Sequence, residues 1–136
     1  MVEVQPIGRV RTAATELPRH CSVSDVEGVL EIDERYREGL ADLAAGEELV
    51  VLFHFHESPP FDAGRLRQTP PHRDAPRGVF STCSPVRPNP IGLSVVEVLE
   101  VRGARVRVRG LDMRDGTPIL DLKPHVTREI ERKGRR

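Results

Sequence analysis

Apolar and polar residues alternate most cleanly between Arg105 and Leu111, where Val106 and Val108 interleave with Arg105, Arg107 and Arg109. A period of two sends successive side chains to opposite faces and predicts a β-strand. The preceding stretch, Ser94 to Val101, is its natural partner, and Gly103 supplies the turn of a hairpin. Glu48 to His56 is almost continuously apolar (Leu49, Val50, Val51, Leu52, Phe53, Phe55) and predicts the strongest single strand. Gly28 to Ile32 and Thr117 to Leu122 are shorter strands. Val4 to Thr12 is an edge strand interrupted at Pro6-Ile7-Gly8. Helical spacing occurs once: Tyr36, Leu40 and Leu43 share a face, with Asp33 as N-cap and Gly46 near the end. Ala13 to Asp25 and the proline-rich Ser58 to Pro76 read as loops. Residues 126–136 form a polar, basic tail. Roughly seven strands with no βαβ rhythm predict a mainly all-β fold, an antiparallel barrel with one short helix and long loops.

Between the two strongest strand signals lies the segment Arg77 to Val96, RGVFSTCSPVRPNPIGLSVV. Ser84, Arg87 and Asn89 each precede a proline, so Ser84 to Pro90 is extended or turned and is neither helix nor central strand. The pattern is strand, stiff polar loop, strand. A rigid loop carrying an arginine, an amide and hydroxyls between two strands predicts a binding wall.

Composition narrows the field. A chain of 136 residues suits a single domain, 1–136. The 21 basic residues balance 21 acidic ones, so no global field draws in a polyanion and any nucleic acid must meet a local patch. Four phenylalanines, one tyrosine and no tryptophan argue against a broad aromatic platform for bases. Cys21 and Cys83 are not spaced as a redox or metal pair. His54 and His56 have a metal-like spacing but lack an evident third ligand, so no metal is expected. No leader or membrane span stands out, which predicts a cytoplasmic protein with reduced thiols. Rossmann and P-loop glycine patterns are missing.

The loop resembles the signature of the TrmO/TsaA-like (YaeB-like) family, GVFATRSPxRPNPIGLS. Further likeness lies in Pro6-Ile7-Gly8, in Leu52-Phe53-His54-Phe55-His56, and in the run Asp115-Gly116-Thr117-Pro118-Ile119-Leu120-Asp121-Leu122-Lys123-Pro124. The likeness covers Gln5 to Val126 in the family's order. It implies a β-barrel, S-adenosylmethionine as cofactor, and methyl transfer to N6 of threonylcarbamoyl-adenosine at position 37 of tRNA. Two departures stand out: Cys83 replaces the signature's arginine, and His125 replaces a frequent tyrosine. The chain is similar to the short, archaeal-like members, which implies a homodimer that pools two surfaces.

Such a transfer needs rigid walls and few reactive groups. The cofactor-binding set expected from the loop is Phe80, Ser81, Thr82, Arg87, Asn89, Pro90, Ile91 and Gly92, with Arg87 for a carboxylate, and Asp121 as an acceptor. His56, Asp115 and Lys123 are the expected catalytic set: His56 to orient substrate or take up the acceptor proton, Lys123 to meet a carboxylate or phosphate. Each has a plainer reading, Asp115 as an ordinary turn residue and Asp121 with Lys123 as a solvent-facing pair. For tRNA, the basic C-terminal half (Arg102, Arg105, Arg107, Arg109 and the tail from Arg128) is the expected contact, against a merely solvated hairpin face. A small-molecule methyltransferase and a non-catalytic S-adenosylmethionine-binding module remain the alternatives.

Overall fold

The computed structural model describes residues 1–126; the basic tail expected beyond Val126 lies outside the described residues. Among the described residues eight strands occur: β1 (Gly8–Arg11), β2 (Glu27–Ile32), β3 (Glu48–His54), β4 (Arg67–Gln68), β5 (Arg77–Gly78), β6 (Ile91–Arg102), β7 (Arg105–Arg109) and β8 (Pro118–Pro124). Six of them close into an antiparallel barrel in the order β1-β2-β7-β6-β3-β8, and β4 with β5 forms a separate two-stranded arm. The all-β barrel expected from the alternation is the fold observed. Among the described residues, no helix is long and apolar enough to cross a membrane.

The alternation sets the barrel's inside and outside. Val106 and Val108 on β7, Val96 and Val98 on β6, Val51 on β3, Leu30 on β2 and Ile119 on β8 are fully buried or nearly so. They fill the lumen as a packed core. The expected helix is a 3₁₀ segment, Glu34–Leu40, that buries Leu40 against the core. Asp33, the expected N-cap, makes no side-chain cap there; its carboxylate lies 3.7 Å from Arg35 instead. The β3 strand also ends two residues earlier than the apolar run. Phe55 donates its amide to Pro90 O at 2.8 Å and His56 bonds back to His54 O, so the chain turns at the barrel mouth.

The hairpin arginines face outward into solvent, each beside a carboxylate. Arg105 lies 3.5 Å from Glu31, Arg107 3.0 Å from Glu27, Arg109 2.7 Å from Glu97, and Arg102 3.0 Å from Glu100. This pairing favours the plainer expectation, a solvated hairpin face, over a phosphate-binding one. Register opposite β2 and within the β6–β7 hairpin places a carboxylate beside each guanidinium, so the field of the row is cancelled locally.

Candidate active site

The strand β6 outruns its hairpin partner. Ile91 to Val96 pairs with β3 alone, leaving a free edge that the 20–24 turn covers; Val95 donates its amide to Cys21 Sγ at 3.4 Å. The signature loop enters this edge from above. Two clefts open where loop, edge and barrel mouth meet, of about 310 Å³ and about 460 Å³. They share Phe53, Phe55, Pro85 and Asp112. Each falls in the size range of small-molecule sites, and the shared wall makes them two compartments of one.

The loop holds itself rigid. Arg87 donates through Nη1 to the carbonyls of Thr82 and Ser84, both at 3.0 Å, and Thr82 Oγ1 donates to Val79 O at 2.8 Å. Gln68 Nε2 reaches Val86 O and Ser58 Oγ reaches Pro85 O, tying the loop to two neighbouring segments. The prolines remove donors and the side chains satisfy the acceptors that remain. The Thr82 hydroxyl is therefore occupied within the loop and Arg87 is partly so. Ser81 and Asn89 are exposed, and Phe80 is 78% exposed on a 3₁₀ turn outside both clefts. Thr82, Arg87, Ile91 and Gly92 line the larger cleft, and Pro90 fixes its edge through the bond from Phe55.

Gly92 is required by packing. A Cβ there would fall among the ring carbons of Phe53, and that ring stacks edge-on against Phe55 with centroids 5.0 Å apart. The two rings make the apolar floor common to both clefts.

At the junction stands Asp112, which the sequence reading did not single out. Ser94 Oγ, fully buried inside the barrel, donates to its carboxylate. Burial raises the Asp112 carboxyl above the ordinary carboxylate value; the Ser94 bond, nearby His20 and the Cys21 amide pull the other way without winning. A signal for it existed. On β6 the inward positions run Gly92, Ser94, Val96, Val98, and a lone serine in an apolar row implies a buried polar partner.

The expected catalytic trio is not assembled. His56 lines the smaller cleft beside Glu57, 3.7 Å away, and Glu57 is itself held by Arg114. Asp115 is exposed and accepts from Thr12 N at 3.0 Å, stapling a turn to β1. Asp121 pairs with Lys123 at 2.9 Å on the barrel's outer face, opposite Leu52 and Val50. Lys123 thus lies opposite Val50, about 13 Å along β3 from His54, where the strand ends at the mouth. The plainer readings hold geometrically for Asp115, Asp121 and Lys123.

Residues 10–129 match the family model of the tRNA-methyltransferase O N-terminal domain. The chain is 38% identical over 130 residues to a probable S-adenosyl-L-methionine-binding protein of Pyrococcus abyssi, covering 93% of this chain and 69% of that one. It is 38% identical over 125 residues to an S-adenosyl-L-methionine-binding protein of Archaeoglobus fulgidus, covering 90% and 88%. A mouse tRNA (adenine(37)-N6)-methyltransferase is 45% identical over 76 residues, 56% of this chain and 18% of that one. The crystal structure of TrmO from Pseudomonas aeruginosa superposes with a TM-score of 0.73 at 32% identity, covering 93% of this chain. The chain spans 56% of the length of that solved structure.

Proposed function

The chain belongs to the tRNA-methyltransferase O N-terminal domain family, and from that premise we propose that it methylates tRNA with S-adenosylmethionine, at N6 of threonylcarbamoyl-adenosine 37. The observation that carries the reading is the pair of clefts meeting at a desolvated carboxylate. One compartment can take a cofactor and the other an acceptor, with a proton acceptor between them.

The residues present fit the cofactor. In the larger cleft Arg87 keeps N–H donors beyond the Nη1 bonds for a carboxylate, and Phe53 and Phe55 offer an apolar floor. Bound there, S-adenosylmethionine supplies an electrophilic methyl group on a sulfonium sulfur. Asp112 receives the proton that the acceptor nitrogen loses, and burial raises its affinity for that proton above that of an ordinary carboxylate. Ser94 holds the carboxylate in one orientation. His56, Glu57 and Arg114 frame the smaller cleft, where a cation can meet the acceptor's carboxylate. The stiff loop excludes water and fixes the approach, which is most of what a displacement of this kind requires.

The test is direct. Labelled methyl from S-adenosylmethionine should enter unfractionated tRNA, and nucleoside mass spectrometry should place it on threonylcarbamoyl-adenosine. Label entering only small molecules, or none, removes the tRNA reading. Cys83 supplies a separate probe of the cofactor cleft, since it is exposed and lines that wall. S-adenosylmethionine at saturating concentration should slow its alkylation by N-ethylmaleimide at least several-fold, with Cys21 as internal control. Equal rates with and without cofactor place the cofactor elsewhere.

The assembly we propose is a homodimer through the outer face of β3 and β6. Leu52, Val50 and Val95 face outward there, continuous with the exposed Ile91 and Leu93 that wall the larger cleft, so the interface would border the cofactor site. A barrel exterior this apolar is a surface made for burial, and two copies can cover it reciprocally about a twofold axis. Sedimentation should give twice the chain mass, and Leu52→Lys, outside both clefts, should give the single chain. A wild-type monomer at tens of micromolar rules the assembly out.

A further inference from the structure

The arm built from β4 and β5 carries Arg65, Arg67, Arg73 and Arg77, all exposed, against one carboxylate, Asp74, between them. Among the described residues none of these four arginines has an acidic partner, whereas the barrel's β7 row is paired at every arginine. Asp62, at the arm's base, is turned onto Gly64 N. In a chain with no net charge, the arm is thus a local group of guanidinium charges that the described carboxylates leave uncancelled. The arm is not a loose tether. Gln68 Nε2 donates to Val86 O at 2.8 Å and Val79 donates its amide to Leu66 O at 2.8 Å, fixing it to the loop that walls the larger cleft. Phe80, at the junction, is 78% exposed.

We propose that this arm is the RNA-backbone contact of the protein, with the arginines on phosphates and Phe80 under an unstacked base. Planar guanidinium groups suit phosphate oxygens, and an exposed ring beside them suits a splayed-out base. An acidic protein partner needs no bare ring, and RNA is the partner that uses both. The inference rests on the reading of tRNA as acceptor, and it places the grip beside the clefts rather than on the β7 hairpin.

The full chain, unfractionated tRNA and a salt series from about 50 to 200 mM test it. The quadruple variant R65Q/R67Q/R73Q/R77Q should bind on the order of 10-fold to 100-fold more weakly at the low end. Its plot of log affinity against log salt should flatten by about three. Protection of Cys83 by S-adenosylmethionine should persist. R105Q/R107Q/R109Q should keep the parental slope. Arg73→Glu alone, at a guanidinium with no partner among the described residues, keeps the test should the quadruple variant misfold. An unchanged slope in the arm variants, with wild-type binding intact, overturns the inference and leaves the tRNA reading standing. A wild type that does not bind tRNA removes both. Loss of binding to phosphatidylglycerol vesicles with the tRNA slope unchanged assigns the arm to a membrane surface and also overturns the inference.

Discussion

Asp112→Asn will lower methyl transfer by about 10²–10⁴-fold, the range for removing a positioned general base, and will leave the barrel at least as stable at neutral pH. The introduced amide keeps an oxygen for the Ser94 hydroxyl, so the geometry of the junction survives. It loses only the ability to take up a proton. Stability follows from the direction of the shift. Burial holds the folded-state carboxyl above its unfolded value, so ionising it disfavours the native state. That cost is absent at acid pH, where both states are protonated, and is fully present once pH exceeds the folded value. The amide is neutral throughout. The variant's gain should therefore appear near pH 7 and vanish towards pH 3, read from thermal denaturation across that range. Ser94→Ala should act on the same group from the other side. Removing a donor to the carboxylate raises its proton affinity further, which moves the acid limb of the rate profile to higher pH. A variant that methylates at the parental rate takes Asp112 out of the chemistry; one that melts earlier at pH 7 makes it a structural residue instead.

The second large effect is Gly92→Ala. The new methyl has no room, because its position is already taken by the ring of Phe53, which is 3% exposed and packed on Phe55. Overpacking a filled core costs about 1–3 kcal/mol, and here the displaced group is a rigid ring with nowhere to rotate. Phe53 also floors both clefts, so cofactor affinity should fall with stability. Phe53→Leu in the same chain should restore much of the stability by returning the space, while the cofactor floor stays altered. Urea denaturation and calorimetric titration separate the two. An unchanged denaturation midpoint in the single variant refutes the packing argument.

Inward and outward faces were legible in the sequence because they depend on parity within one strand. Val106 and Val108 had to point together whatever lay across from them, and so did Arg105, Arg107 and Arg109. The stiffness of Ser84 to Pro90 was legible for the same reason, since proline acts on its own bond and its predecessor's. The signature and the run from Asp115 likewise carried the family.

What lay opposite each face was decided only by the closed barrel. Arg107 meets Glu27, eighty positions away in the chain, and that meeting turns an apparent basic face into a neutral row. Asp112 becomes a desolvated carboxylate because β6 brings Ser94 beneath it and the 20–24 turn closes over the edge. A register shift between Leu52 and Phe53 separates Ile119 inside from Asp121 and Lys123 outside, so these two leave the mouth where His56 sits. Local patterning sets which way a side chain points, whereas its partners, solvation and charge balance come from strands far apart in sequence, whose register the barrel's closure imposes.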